Sequence, residues 1–344
     1  MNLPSVCVTG ATGLVGLELV RRLAGKGYRI TAVVRPTSDR SSLSGLAGNL
    51  TIVGCQLTDA ATLKAAMAGH DVVVHAAGSV DVMGSREEIF AVNVGGSRAA
   101  LEAAISAGVK QFVHISSLSV ITGQDDQYAV GEDAPLRCCG EPYADSKVEA
   151  EKLVMAEAYR GRIAVTALRP GFIYGPRERA WLPRLIESLA SGKAVLIDGG
   201  RKETNVIYIG NLCRAIEASL LNERCYGKVY NLTDGQKVTK KQLFDAICDG
   251  LGLPRVTRSI PQPVARLACE VVSRVAPLLP PASRGKLSRF SRAAFRLAGV
   301  NQGFDISRAE RDLDYTERTP FAAGMAETLP YFAGTRARSA GARQ

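Results

Sequence analysis

Nowhere in the 344 residues do about 18 apolar residues run together, so no segment reads as a membrane-spanning helix. Aromatic residues are few, 6% of the chain with a single Trp, and no nucleic-acid recognition motif occurs. A nucleic-acid partner is therefore not expected. The three histidines and eight cysteines show no metal-ligand spacing apart from the vicinal Cys138–Cys139, which argues against both a metal centre and a disulfide framework. The cysteines are expected to be free thiols in a reducing compartment. The opening "MNLPSVCVTG" has no basic stretch followed by a long apolar run, so the expected location is cytoplasmic. Internal repeats and low-complexity tracts are also missing.

What is present is enough apolar material, 46% of the residues, for a sizeable core. Short β-branched runs at 5–10, 29–34, 50–54, 71–77, 111–116 and 163–170 alternate with helical patterns near 14–25, 60–68, 86–107 and 144–160. Near-continuous apolar strands separated by helices imply a parallel sheet covered on both faces. The expected fold is α/β, a doubly wound parallel Rossmann sheet over 1–170. A smaller, discontinuous substrate-binding lobe follows over 171–335, and 336–344 reads as a disordered tail.

"VCVTGATGLVG" places Gly10, Gly13 and Gly16 directly after the first strand and at the opening of a helix. Glycines there allow a tight turn, close backbone approach to a pyrophosphate and close helix–strand packing, with the anion on the helix N-terminus. A dinucleotide is the expected ligand. The end of the second strand reads "AVVRPTSDR", with Arg35 where an acid would bind a ribose 2′-hydroxyl and Arg40 close behind. Those bases favour NADP(H), and Asp39 keeps NAD(H) open. Further along, "PYADSKVEAEKL" sets Tyr143 four positions before Lys147, on one face of a helix. Such a pair is either a proton-transfer device or a turn of solvated helix.

The glycine loop, "VVHAAG" (73–78), "NVGGS" (93–97), "VHISSLSV" (113–120), "PYADSK" (142–147) and "LRPGFIYGP" (168–176) occur in the order and at the intervals of an extended short-chain dehydrogenase/reductase, which the chain resembles over about residues 3–335. The resemblance implies that Tyr143 is a general acid/base and Lys147 its electrostatic partner, since an unperturbed phenol is a poor base at neutral pH. It implies a third member, a serine at the end of the fifth strand: Ser117, with Ser116 as runner-up. The implied cofactor-binding set is Gly10, Thr12, Gly13, Leu14, Val15, Gly16, Arg35, Arg40, Gln56, Leu57, Ala76, Ala77, Tyr143, Lys147 and Pro170. Gln56 stands where relatives carry an adenine-binding aspartate. Asn93 matches a family asparagine with a structural or relay role, and His75 and His114 are read as strand residues and not as metal ligands.

Nucleotide-sugar enzymes of this superfamily carry an Arg-Asp pair where this chain has Thr204-Asn205, so their phosphate clamp is missing. The segments 78–96, 198–212 and 304–315 instead resemble the 3β-hydroxysteroid dehydrogenase-like branch. That implies an NAD(P)-dependent oxidoreductase interconverting a secondary alcohol and a ketone on a small hydrophobic, sterol- or lipid-like substrate, with Val80 and Met83 as pocket walls or core residues. The rival readings are a nucleotide-sugar epimerase/dehydratase and a non-catalytic NADP-binding sensor or assembly subunit. A homodimer is compatible with this reading. Between Arg255 and Val300 nine basic residues face one acid, a local net charge of 9 − 1 = +8. Helical stripes over 263–281 and 284–299, the latter with Arg289, Arg292 and Arg296 on one polar face, imply either peripheral association with the inner surface of a membrane or an ordinary cap on the lobe.

Overall fold

The computed structural model describes residues 3–46, 48–80, 84–123, 125–275 and 292–341. Seven parallel strands form its central sheet, in the spatial order β12-β7-β5-β4-β1-β2-β3. They are β1 (Val6–Thr9), β2 (Ile30–Val34), β3 (Leu50–Gly54), β4 (Val72–His75), β5 (Gln111–Ile115), β7 (Ala164–Pro170) and β12 (Lys228–Leu232). Helices cover both faces. Along each strand alternate side chains enter opposite cores: Val72 and Val74 join one apolar cluster, and Val73 the other. The first face packs α1 (Leu14–Gly25) and α7 (Ile209–Ser219), and the second packs α2 (Ala60–Met67), α4 (Gly96–Ser106) and α5 (Pro142–Tyr159). This is the doubly wound α/β sheet anticipated from the strand pattern.

Two boundaries differ from expectation. The apolar run 228–232, from beyond residue 170, supplies the seventh strand by pairing with β7, so the two parts of the chain interleave. The tail expected at 336–344 is helical as far as Gly341, in the last helix α12 (Phe321–Gly341). Arg336, Ala337, Arg338 and Ala340 are good helix formers, so the helix continues through a segment that lacks an apolar stripe.

The single helix expected over 86–107 is three pieces. α3 (Arg86–Phe90) carries a Ser85/Glu88 capping box, and a widened π turn over Ala91–Gly95 leads into α4. Such turns insert a residue into a helix and recur at functional sites. Here the turn places Asn93 inward.

The lobe is built from short pieces. β8 (Phe172–Tyr174) pairs with β11 (Val206–Tyr208), and β6 (Gln127–Val130) with β15 (Gln302–Phe304). Two-residue strands complete it: β9 (Leu196–Ile197) with β14 (Ser259–Ile260), and β10 (Glu203–Thr204) with β13 (Val238–Thr239). Around them pack α6 (Leu182–Ala190), α8 (Lys240–Leu251), α9 (Gln262–Val275) and α10 (Arg292–Gly299), while α11 (Ser307–Leu313) returns to pack on β12 and α7.

Candidate active site

The C-terminal ends of four central strands lie level. Thr9 stands opposite His75, His75 opposite His114, and Ile115 opposite Leu168. Gly10, Ala76, Ser116 and Pro170 therefore emerge at one edge, where open parallel sheets hold their ligands. Gly10 has φ +69°, and a Cβ on it would lie 2.7 Å from the Ala77 backbone; one on Gly16 would lie 2.3 Å from the Gly10 carbonyl oxygen. Both positions require glycine. Gly13 caps α1 and no side chain covers the first amides of that helix, which leaves them for an anion. The turn thus fits the pyrophosphate of a dinucleotide. Thr12 and Leu14 are half-buried beside it, while Val15, Ala76 and Pro170 face a common cavity.

Farther out along the same edge, Arg35 and Arg40 are exposed after β2, and Arg40 leans over Gly54. Asp39 is occupied locally: its carboxylate accepts the Ser41 amide and hydroxyl, each at 2.8 Å, and these bonds hold it below its ordinary pKa. Gln56 is exposed after β3, whereas Leu57 packs against Gly96 of α4.

The cavity, about 100 Å³, is walled by Val15, Val80, Ser117, Tyr143, Lys147 and Ile173 among others. Pro142 opens α5 and pre-sets its first turn, so Tyr143 sits beside the cavity and Lys147 one turn deeper. Burial raises the Tyr143 phenol above its ordinary pKa, and a hydrogen bond with the Ser117 side chain pulls it back. Lys147 is buried and donates to the Ile115 carbonyl at 2.9 Å. Burial lowers its pKa to about 8 against an upward pull from Glu151.

The two candidate serines have different surroundings. Both line the cavity, but Ser116 is buried and donates to Glu151 Oε2 at 2.6 Å, whereas Ser117 accepts the Ser119 amide and shares a hydrogen bond with Tyr143. Asn93 accepts the Ser79 amide at 2.7 Å and donates to Ser146 at 2.9 Å, stapling the loop after β4 to α5. His75 bonds Thr9 and Ser97, and its ring stacks on His114. Burial depresses the pKa of both, His75 to about 3. No group able to hold a metal ion occurs among the described residues. Sequence reasoning passed over Glu151 and Arg169, which join beneath the cavity; the available signal was a carboxylate one turn after Lys147 and an arginine ending an apolar strand.

The sequence profile of the 3-beta hydroxysteroid dehydrogenase/isomerase family matches residues 7–261. The chain belongs to that family. A similar curated protein is the 4-hydroxy-2-methyl-3-oxo-4-farnesyl-3,4-dihydroquinoline-1-oxide ketoreductase of Stigmatella aurantiaca, 30% identical over 92% of this chain and 93% of that protein. Another is the 2-alkyl-3-oxoalkanoate reductase of Shewanella oneidensis, 28% identical over 92% of this chain and 84% of that protein. Among solved structures, the dTDP-glucose 4,6-dehydratase DesIV of Streptomyces venezuelae, with NAD bound, shares the fold at a TM-score of 0.76 and 23% identity, over 97% of this chain and 98% of that one. This member of the hydroxysteroid dehydrogenase family is thus an oxidoreductase with the fold of the extended short-chain dehydrogenases/reductases.

Other features of this dehydrogenase-family chain bear on its substrate side. Thr204 and Asn205 are buried; the Asn205 carbonyl accepts the Phe172 amide at 2.7 Å and blocks any side chain at Gly171. Val80, expected as either wall or core, is 55% exposed at the cavity, and Met83 lies outside the described residues. The basic face expected around Arg289, Arg292 and Arg296 is not a solvated one at Arg296. That guanidinium is buried against Glu141 and the Cys139 sulfur, while Leu297 is exposed. Phe295 beside Arg296 also faces inward, packed with Ala265 and Cys269 of α9. Arg289 lies outside the described residues. All eight cysteines are free thiols.

Proposed function

We propose that this enzyme interconverts a secondary alcohol and a ketone on a hydrophobic, sterol- or lipid-like molecule, with NADP(H) as the preferred cofactor. The observation that carries the reading is the meeting of Ser117, Tyr143 and Lys147 in one cavity whose remaining wall includes Val15, Val80 and Ile173. Ser117 and Tyr143 present two hydroxyls to a carbonyl oxygen. Tyr143 gives or takes the proton there, and Lys147 supplies the positive charge that favours the phenolate. The nicotinamide supplies or accepts the hydride when bound. Drug-sized sites run to about 300–1,000 Å³, so a cavity of about 100 Å³ admits only the reacting end of such a molecule. The greasy remainder extends outward past Val80.

The NADP(H) preference draws support from Arg35 and Arg40, two exposed cations at the end of β2, and from Asp39, whose carboxylate is already engaged by Ser41. The ketoreductase relatives favour the chemistry, and the burial of Thr204-Asn205 disfavours a nucleotide-sugar substrate. The test is to incubate the purified protein and NADPH with a host lipid extract, with a 3-ketosteroid and with a 2-alkyl-3-oxoalkanoate, following NADPH oxidation and product mass. A mass gain of two hydrogens on a hydrophobic ketone supports the reading. NADPH consumption by none of the three overturns it.

Membrane-surface association is proposed for α9. Val264, Leu267, Val271 and Val275 form an exposed apolar stripe along it, between 43% and 66% accessible. Arg266 and Arg274 flank the stripe but pair with Asp125 and Glu270. Their charges are therefore partly offset, and the apolar stripe provides more of the attraction. Leu267→Ser with Val271→Ser should release the protein from vesicles containing anionic lipid. A wild-type protein that stays in the supernatant at low salt rejects this part of the proposal.

A further inference from the structure

An ion pair lies directly beneath the cavity. Glu151, one turn beyond Lys147 on α5, and Arg169, next to last in β7, are almost completely enclosed. Arg169 donates from Nε to Oε2 at 2.9 Å and from Nη2 to Oε1 at 2.5 Å, while its Nη1 reaches the Glu132 carbonyl at 3.0 Å. Ser116 adds its hydroxyl to Oε2. One carboxylate thus joins α5, β5 and β7 at the points where they deliver Tyr143 and Lys147, Ser117, and Pro170.

Stability alone does not account for such a pair. The cost of desolvating two buried charges roughly cancels their attraction, and well-packed apolar residues of similar volume commonly hold the same elements as well or better. What they cannot provide is negative charge beside Lys147. The charged and titratable groups around that ammonium are Tyr143 and Glu151 on its own helix, His75 on β4, His114 on β5 and Arg169 on β7. The two histidines are kept neutral by burial. Glu151 is the carboxylate that opposes the burial of Lys147.

We propose that Glu151 is a positioning residue for the reaction: its carboxylate, matched by Arg169, keeps the Lys147 ammonium charged at neutral pH. By engaging Ser116 it also leaves Ser117 as the hydroxyl that faces Tyr143. The proposal rests on reading Lys147 as the charged partner of Tyr143. Its sign follows from the charge. Without Glu151 the enclosed ammonium loses its proton at lower pH, so any step that needs it charged fails at lower pH.

The experiment compares Glu151→Gln, Ser116→Ala and the wild type over pH 6–10 by two readouts, NADPH affinity from nicotinamide fluorescence without substrate and turnover of a hydrophobic ketone. For Glu151→Gln the alkaline fall in both should move towards acid by about one pH unit, the size expected when one nearby charge is removed. Ser116→Ala keeps the charge and should leave both alkaline limbs in place. Should Glu151→Gln unfold because Arg169 is left unpaired, the double variant Glu151→Met/Arg169→Met replaces the pair with apolar side chains and must shift in the same direction, by less because a cation is removed with the carboxylate. Folded variants whose alkaline limbs stay at the wild-type pH, or whose activity falls equally at every pH, overturn the proposal and make Glu151 a packing residue. Should the wild type bind NADPH but reduce no ketone, the functional reading fails, and the affinity limb still decides the role of Glu151.

Discussion

The sheet half of the molecule and its 255–300 segment were both read from apolar periodicity, with opposite success. In the sheet, β2, β3, β5 and β7 begin and end within a residue or two of the apolar runs that announce them. β2, β5 and β7 are buried from both sides, so every residue in the run counts towards the pattern, whereas β3 lies at the sheet edge and is only partly buried. In α10 the periodicity located a helix and then misjudged its orientation. Arg296 turns inward to Glu141 and Leu297 outward to solvent. Periodicity shows that two faces differ. Which of them is inside depends on the surface it meets, and here that surface offers a carboxylate.

The largest expected effect tests the sheet half. Tyr143→Phe removes the hydroxyl but keeps the ring, so turnover should fall about a hundredfold or more with cofactor affinity largely intact. Ser117→Ala should be severely impaired and Ser116→Ala much less so. Steady-state rates for the three variants check both points, and the reverse order for the serines would move the reacting hydroxyl to Ser116.

Next in size is a test of the inverted helix. Arg296→Met leaves Glu141 half-enclosed without its partner, so the unfolding free energy should drop by about 3 kcal/mol, the low end for breaking a buried pair. Urea melts measure it. A loss no greater than that of Arg274→Met, a solvent-facing control on α9, would show that burial of Arg296 adds nothing.

A third variant probes the rim of the sheet. If Arg35 meets a 2′-phosphate, Arg35→Asp replaces attraction with repulsion and should shift the NADPH/NADH affinity ratio by about a hundredfold towards NADH. Titration of both cofactors into both proteins gives the ratio directly.

The smallest effect concerns the sheet interior. Both ring nitrogens of His114 are buried without a hydrogen-bond partner. His114→Phe removes that burden and should stabilise the protein by about 1 kcal/mol at pH 7. It should also reduce acid sensitivity. A histidine whose folded pKa is depressed binds its proton more readily when unfolded, so stability is fully present above the unfolded value near 6.5 and is lost as pH falls towards the folded one. For His75 that window extends down to about 3, and it should remain in the variant.

The lobe was less legible than the sheet for a reason that its pairings make plain. Strands such as Glu203–Thr204 and Ser259–Ile260 are two residues long and exist only because distant segments supply their partners. No window of sequence contains enough of such an element to show a period. The π turn at Asn93 was hidden differently: its residues are compatible with an ordinary helix, and the bonds from Asn93 to Ser79 and Ser146 draw it inward.

What the sequence determined by itself was whatever lies within one turn or one helix. The glycine spacing from Gly10 to Gly16 and the four-residue step from Tyr143 to Lys147 are set by local backbone geometry, which the chain carries wherever it goes. Only the tertiary structure decided which serine bonds Glu151 and which bonds Tyr143, that Glu151 and Arg169 meet beneath Lys147, and that Arg296 points inward. Each of those depends on strand register and on burial between segments far apart in the chain, 18 residues for Arg169 and Glu151 and 155 for Arg296 and Glu141. At such separations the partner is chosen by which surfaces the whole fold brings together and removes from water.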